Sequence, residues 1–453
     1  MSRSGKFDLT EGPILSRLLS VALPIMGSSL LQMLYNLTDM FWLGRLSSDD
    51  VAASGSGGMF LWLSMAFMML GRMGAEIGVS QNLGRKDEKA ARSFSQTALG
   101  LAGILGLIYG ATLFFGSKSL LGIFNIQEAN VLEAASIYLS IVGLGVPVSF
   151  LTGVFVGTFN GSGYSRISFF ANLLGLIVNV ILDPVMIFTL NWGIAGAAIA
   201  TVFAQICSFL VFAWAIKRDA NRPFIEYSFF TMPEWAKVKQ IVKWCAPISL
   251  ESMLFTSLAM LVSRLVYGFG SNAVAAQSVG SQVESLTWMI GGGFSSALTA
   301  FIGQNFGAGK WQRIRKGVNL AILSMTCWGI AVTILIYTQG AFLISLFMPD
   351  PNIIAIGVSY LQVLAYSQVT GCWEGVASGA FRGIGITIPP SIISISCNAL
   401  RVPLAYYLAG TDLGLNGVWW AVAISAALRG SIMLIAFLMN LAKQPKDDII
   451  SVG

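Results

Sequence analysis

Histidine is absent from the 453 residues. That removes imidazole as a metal ligand and as a switch near neutral pH, so any proton carried by this chain must ride on a carboxylate. Charge is scarce too. Asp, Glu, Lys and Arg make up 11% of the chain, against about 25% in soluble domains. So little charge excludes a water-facing surface around one core, a nucleic-acid-binding protein and a disordered tail. Only five cysteines are present, at 207, 245, 327, 372 and 397, all in or beside apolar runs and none in a CxxC pair. They read as small buried hydrophobes, which excludes a disulfide scaffold and a thiolate metal site. No GxxxxGK[ST] phosphate loop occurs, nor any soluble stretch to house one, so ATP drive is excluded. The absence of a nucleophile motif argues against an enzyme. The absence of a repeated pore loop argues against a channel.

Apolar residues are abundant, at 55% of the chain, and they arrive in twelve runs from 14–42 to 415–442. A helix needs about 20 apolar residues to cross the bilayer core. Twelve such runs predict an all-α polytopic membrane protein, since only helices and closed barrels satisfy their backbone in lipid, and no barrel-like alternation is seen. Alternating the runs from an inside N-terminus puts 21 of the 27 Lys and Arg on inner segments. Only Arg45 and Lys118 fall outside, and Arg72, Arg264, Arg401 and Arg429 fall within apolar runs. The bias predicts a multi-pass protein of the cell membrane with both termini cytoplasmic. The polar N-terminus does not resemble a cleaved signal.

The two halves repeat. Pro24 and Pro247, Val51-Ala52-Ala53 and Val274-Ala275-Ala276, and Gln81-Asn82 and Gln304-Asn305 are each 223 residues apart. Gly161-Ser162-Gly163 faces Gly383-Ile384-Gly385 at 222, and Asn179 faces Asn398 at 219. The Gly-rich pairs lie between helices without a preceding strand and read as turns. The repeat predicts lobes 1–216 and 240–453 of six helices each, joined by a cytoplasmic linker 217–239. Six is even, so the lobes are related by a pseudo-twofold axis along the membrane normal, and two lobes facing across a cleft is a secondary-transporter architecture. Pro24 and Pro247 predict matching kinks that act as hinges.

Six acids fall within apolar runs: Asp39, Glu76, Asp183, Glu251, Glu284 and Glu374. A charge there costs at least about 2.5–3.5 kcal/mol, so such residues face a cavity or a partner. Gln32, Tyr35, Asn36 and Asp39 share one helical face, and so do Asn179 and Asp183. Carboxylates with amide oxygens can hold Na⁺ or share protons. Glu251, Glu284 and Glu374 are candidates for a second cation or a substrate contact, the alternative being an ion pair with Arg264 or Arg401. At the repeat spacing Asp39 faces Val262, and Asp183 faces Val402, so the second lobe does not copy the first.

These segments resemble the multidrug and toxic compound extrusion (MATE) family over nearly the whole chain. The resemblance rests on Pro24, the run YNLTDMFWLGRL, the loops QNLGRKDEKAARS and QNFGAGKWQRIRK, FNGSG, and NVILDP. It implies that Asp39, Asn179, Asp183, Ala197 and Thr201 bind the coupling ion, H⁺ or Na⁺, in the first lobe. It also implies a second-lobe acid pair of which Glu251 is one member. The other member's place is Gly371, with Glu374 one turn on. The function implied is a secondary antiporter exporting organic, cationic or amphipathic compounds by alternating access. It would act as a monomer in the bilayer, with no cofactor and no nucleic-acid partner. The alternative is a lipid-linked precursor flippase of the same superfamily.

Overall fold

The computed structural model describes residues 8–43, 45–46, 48–124, 128–218, 222–229 and 231–445, apart from the side chains of 40, 48, 49, 51, 52 and 286. Arg3, Lys6 and Lys446 of the inner charge count lie outside these. The described chain is helical: α1 Ile14–Leu43, α2 Ser48–Gly84, α3 Glu88–Leu121, α4 Ala129–Gly161, α5 Ser165–Pro184, α6 Gly193–Arg218, α7 Trp235–Tyr267, α8 Ser271–Gly307, α9 Trp311–Ser345, α10 Pro351–Ala365, α11 Gln368–Gly383, α12 Ile388–Ala409 and α13 Leu415–Ala442. Eleven are long and apolar enough to cross a membrane, and α10 with α11, bent by 51° at their junction, passes the same test as a pair, giving up to twelve candidate spans.

The repeat seen in the sequence is present in the backbone. Helices α2 and α8 start at 48 and 271 and end at 84 and 307, 223 apart at both ends. The turns after them match bond for bond. Lys86 has φ 60° and Gly309 φ 70°. Behind them Asp87 N donates to Asn82 O at 3.0 Å, and Lys310 N donates to Asn305 O at 2.9 Å. Each is a left-handed residue closing a helix, a place where glycine is cheaper than lysine. The turns at Gly163 and Gly385 match as well, with φ 84° and 77°. Glycines let the helices approach closely. A Cβ at Gly157 would lie 2.1 Å from the Arg72 carbonyl, and one at Gly430 would lie 1.9 Å from that of Thr370.

One half departs from the other. The run 353–380 is not a single helix but breaks at Tyr366–Ser367, although no proline lies there. The Leu364 carbonyl accepts from Ser367 N at 3.0 Å, Ser367 Oγ at 2.9 Å and Gln368 Nε2 at 3.2 Å. An i+3 bond plus two side-chain donors on one carbonyl ends the α-ladder, and α11 restarts with Gly371 N on Ser367 O at 2.9 Å. Its counterpart α4 runs unbroken through Pro147.

The chain divides into two compact units. One comprises Leu23–Ser249 with Met1–Asp8, the other Leu9–Ala22 with Leu250–Gly453. The lobe limits drawn from the sequence differ from these in two places. The leading part of α1 groups with the second unit, and residues 217–249 group with the first. The changes of unit at Ala22–Leu23 and Ser249–Leu250 fall within about three residues of Pro24 and Pro247. The stretch after α6 joins the first unit because it is not a free linker. Phe155 packs against Tyr227 and Phe229, Ser95 Oγ meets Tyr227 Oη at 2.8 Å, and Gln96 Nε2 donates to Ser228 O at 3.1 Å. The leading turns of α7 put Ile241, Trp244, Cys245 and Ile248 into the same core. The second unit's core gathers residues of α7 to α10, α12 and α13, with Tyr360 edge-on to Trp419 at 4.8 Å.

Candidate functional site

In the first unit, α1, α5 and α6 bring the candidate residues together. Asn179 and Asp183 sit one turn apart on α5, 0% and 1% exposed, and Asn179 Nδ2 donates to Asp183 Oδ1 at 3.1 Å. Asp39 of α1 faces Asp183, Asn179 and Thr201. Tyr35, one turn before Asp39, donates its hydroxyl to the Thr201 carbonyl at 3.4 Å. Thr201 and Ala197 are buried one turn apart on α6. Just past Asp183, Pro184 lacks the N–H of the next ladder bond, and residues Val185–Thr189 form a π-helical turn closed by Leu190 N on Val185 O at 2.9 Å. Such turns widen a helix where a side chain must be aimed.

The cluster's chemistry is read from its spare acceptors. Asp39 Oδ1, Asn179 Oδ1 and Asp183 Oδ2 are buried oxygens without a hydrogen-bond donor. Buried polar atoms are normally paired, so three orphaned acceptors in one cluster call for an exception with a reason. Two carboxylates, an amide and a hydroxyl form an oxygen set that suits a hard monovalent cation or a shared proton. Among the described residues no group of three or more His, Cys, Asp or Glu is arranged for a metal ion. Of the other members of the α1 stripe, Gln32 and Asn36 are exposed and lie outside this buried cluster.

The second unit handles its acids differently. Glu374 is paired, though not with Arg264 or Arg401. Arg429 Nη2 lies 2.7 Å and Nε 2.8 Å from Glu374 Oε2, and Nη1 donates to Asn398 Oδ1 at 3.0 Å. Sequence distance hid this pair, since 55 residues separate the partners. Asn398 is the repeat counterpart of Asn179, so a guanidinium here occupies an amide that in the first unit faces two carboxylates. Arg401 donates to Ser425 Oγ at 2.8 Å. Glu251 accepts from Ser391 Oγ at 3.0 Å. Glu284 accepts from Trp288 Nε1 at 3.1 Å and from Tyr360 Oη at 3.3 Å. The structure thus does not gather Glu251, Glu284 and Glu374 around one spare oxygen set.

The MatE family model matches the chain twice, over residues 24–185 and 247–407. The matches start 223 residues apart, the spacing of the internal repeat. Over 436 residues the chain is 29% identical to "Probable multidrug resistance protein NorM" of Thermotoga maritima, covering 94% of this chain and 92% of that one. Its fold matches a crystal structure of MATE in the bent conformation, with a TM-score of 0.91 at 23% identity over 98% of both chains. It equally matches a MOP superfamily transporter from Pyrococcus furiosus, described as having a binding pocket of reverse polarity that suggests a different function. There the TM-score is 0.90 at 23% identity, over 97% of this chain and 99% of that one. With both halves of its sequence matched and eleven to twelve candidate spans, the chain belongs to the MatE family of multi-pass membrane transporters.

Proposed function

We propose that the protein is a secondary antiporter that expels organic, cationic or amphipathic compounds in exchange for H⁺ or Na⁺, with Asp39 and Asp183 taking up the coupling ion. The observation that carries this reading is the trio of orphaned oxygens on Asp39, Asn179 and Asp183. Two buried carboxylates repel each other at a depth where one charge already costs about 2.5–3.5 kcal/mol. A proton or Na⁺ relieves both penalties, and Na⁺ would rest on Asp39, Asn179, Asp183 and Thr201. An ion drives transport only if it binds two access states with different affinity. Helix α1 supplies that difference. It carries Asp39 to the cluster and holds Pro24, which removes one ladder bond near the change of unit, so neutralising Asp39 frees α1 to bend there. Pro247 holds the corresponding place in α7.

The name of the Thermotoga maritima relative supports a drug-like cargo. The Lys and Arg bias supports cytoplasmic termini in the cell membrane, and a chain with two units of its own needs no second copy. The precursor-flippase alternative calls for a cation-rich cavity, whereas the first-unit cluster is acidic.

Ethidium efflux from drug-sensitive cells under an imposed Na⁺ or pH gradient tests the reading. The expected result is efflux under one gradient, lost in Asp39→Asn at unchanged membrane abundance. Undiminished efflux in that variant would sink the role of Asp39. Absence of efflux under either gradient would favour the flippase.

A further inference from the structure

Helices α5 and α6 of the first unit run antiparallel, and three contacts set their register. A Cβ at Gly175 would run into Ser208 Oγ, Ser208 Oγ donates to Ala171 O at 3.0 Å, and a Cβ at Gly196 would lie 2.6 Å from the Met186 carbonyl. A step forward on α6 is thus a step back on α5. Arg166, at the start of α5, therefore stands level with the last turn of α6, which ends at Lys217 and Arg218. Beside this seam lies a groove of about 330 Å³, lined by Leu174 of α5 and by Cys207, Leu210, Val211 and Trp214 of α6. Its walls are apolar. Leu174, Leu210 and Trp214 are exposed large side chains on membrane spans, where acyl chains are the solvent.

Both helices carry the face of the groove on to a cation. On α5, Arg166, Phe170 and Leu174 are exposed at steps of four. On α6, Val211, Trp214 and Arg218 follow at steps of three and four, which keeps them on one side of the helix. Arg166 and Arg218 are exposed, and neither makes an ion pair among the described residues. Lys217 is engaged elsewhere, its ammonium 4.5 Å from the centre of the Phe229 ring. In sequence, Lys217, Arg218 and Arg222 outnumber the one acid of that stretch, Asp219, which lies outside the described residues. The basic rim is not a product of the repeat, since Ile388 stands 222 residues after Arg166. Trp214, one turn before Arg218, is the kind of residue that marks the level of the head groups.

We propose that this groove holds one acyl chain of an anionic phospholipid whose phosphate lies between Arg166 and Arg218. Cations at the mouth of a groove between membrane helices select anionic head groups. A guanidinium offers a phosphate two parallel N–H donors. From Cys207 to Arg218 is eleven residues, about 16 Å along α6, so one extended lipid reaches from the groove to the rim. A zwitterionic lipid fits the groove as well, but its own ammonium meets two guanidiniums. None of these residues belongs to the coupling cluster, so the proposal does not depend on the export reading.

Tryptophan quenching by phospholipids with brominated acyl chains, in mixed micelles with the delipidated full-length protein, tests it. Trp214→Phe identifies the share of Trp214 among the twelve tryptophans. Brominated phosphatidylglycerol should reach half-maximal quenching of Trp214 at a mole fraction at least about tenfold below that of brominated phosphatidylcholine, the scale of two basic contacts at a membrane surface. Arg166→Gln/Arg218→Gln should bring the two lipids to one midpoint and leave quenching by phosphatidylcholine unchanged. Glycerol phosphate, a head group without a chain, should not displace the brominated lipid. Equal midpoints in wild type would overturn the proposal with no variant needed. An undiminished preference in the double variant, or full displacement by glycerol phosphate at the concentration of the lipid, would overturn it too.

Discussion

Glu374 and Arg429 meet at 2.7 Å in the second unit, and the same guanidinium holds Asn398. The side chains are 14% and 3% exposed. The repeat therefore carries a built-in cation in one half and an oxygen cluster with spare acceptors in the other. That difference locates the coupling-ion proposal in the first unit alone.

The pair itself makes a stability prediction. Glu374→Ala strands a buried guanidinium, and breaking one side of such a pair costs about 3–5 kcal/mol. The double variant Glu374→Ala/Arg429→Met leaves no unpaired charge and should recover much of the loss. Thermal unfolding in detergent reads both. Equal loss in the single and double variants would contradict the pairing energetics.

Asn179 is expected to matter to the ion more than to the fold. Its amide holds Asp183 at 3.1 Å and supplies one orphaned oxygen. A hydrogen bond to a charged group is worth about 1.5–3 kcal/mol, so Asn179→Ala should raise the half-saturating coupling-ion concentration at least about tenfold. The readout is export rate against ion concentration. An unshifted midpoint would remove Asn179 from the site.

The loop after α8 clamps the chain ahead of α1. Arg313 donates to the carbonyls of Leu9 at 3.2 Å, Gly12 at 2.7 Å and Glu11 at 3.0 Å, and Lys310 donates to that of Thr10 at 2.9 Å. Arg313→Ala should raise amide hydrogen exchange across residues 9–12 with little change in the core of α9. Unchanged exchange at 9–12 would show that the clamp adds no protection.

Outside the membrane spans, Glu234 makes a pH prediction. The Lys237 ammonium, 2.7 Å away, and the Ser93 hydroxyl hold its carboxyl below the ordinary value of 4.5. A lowered folded value means that the contact stabilises above pH 4.5 and is lost as pH falls below it. Amide protection at 231–237, taken relative to the intrinsic exchange rate at each pH, should therefore fall on acidification through that range in wild type but not in Glu234→Gln. Identical profiles would assign the change elsewhere.

Much of the fold was legible in the sequence because membrane spans announce themselves by length and apolarity, and a two-fold repeat by a constant spacing. The break at Tyr366–Ser367 was not, since it uses neither proline nor a charged residue but the capture of the Leu364 carbonyl by Ser367 and Gln368. Nor was the docking of 222–229, where Phe224, Tyr227 and Phe229 lie in a stretch too short and too interrupted by Arg222, Pro223 and Glu226 to announce itself as a packed element. Within the first-unit cluster, Asn179 and Asp183 were legible because one helical turn joins them. The stripe from Gln32 to Asp39 was only half informative, because a helical face is longer than the part that meets α6, and Tyr35 alone of the first three reaches Thr201.

The central claim is tested most directly by measuring coupling-ion binding to purified protein, as ²²Na⁺ retention and as proton uptake reported by a pH indicator. One of the two signals should be present in wild type, disappear in Asp39→Asn and in Asp183→Asn, and persist in Glu251→Gln. Binding that survives in both aspartate variants, or that is lost in Glu251→Gln, would contradict a coupling site in the first unit.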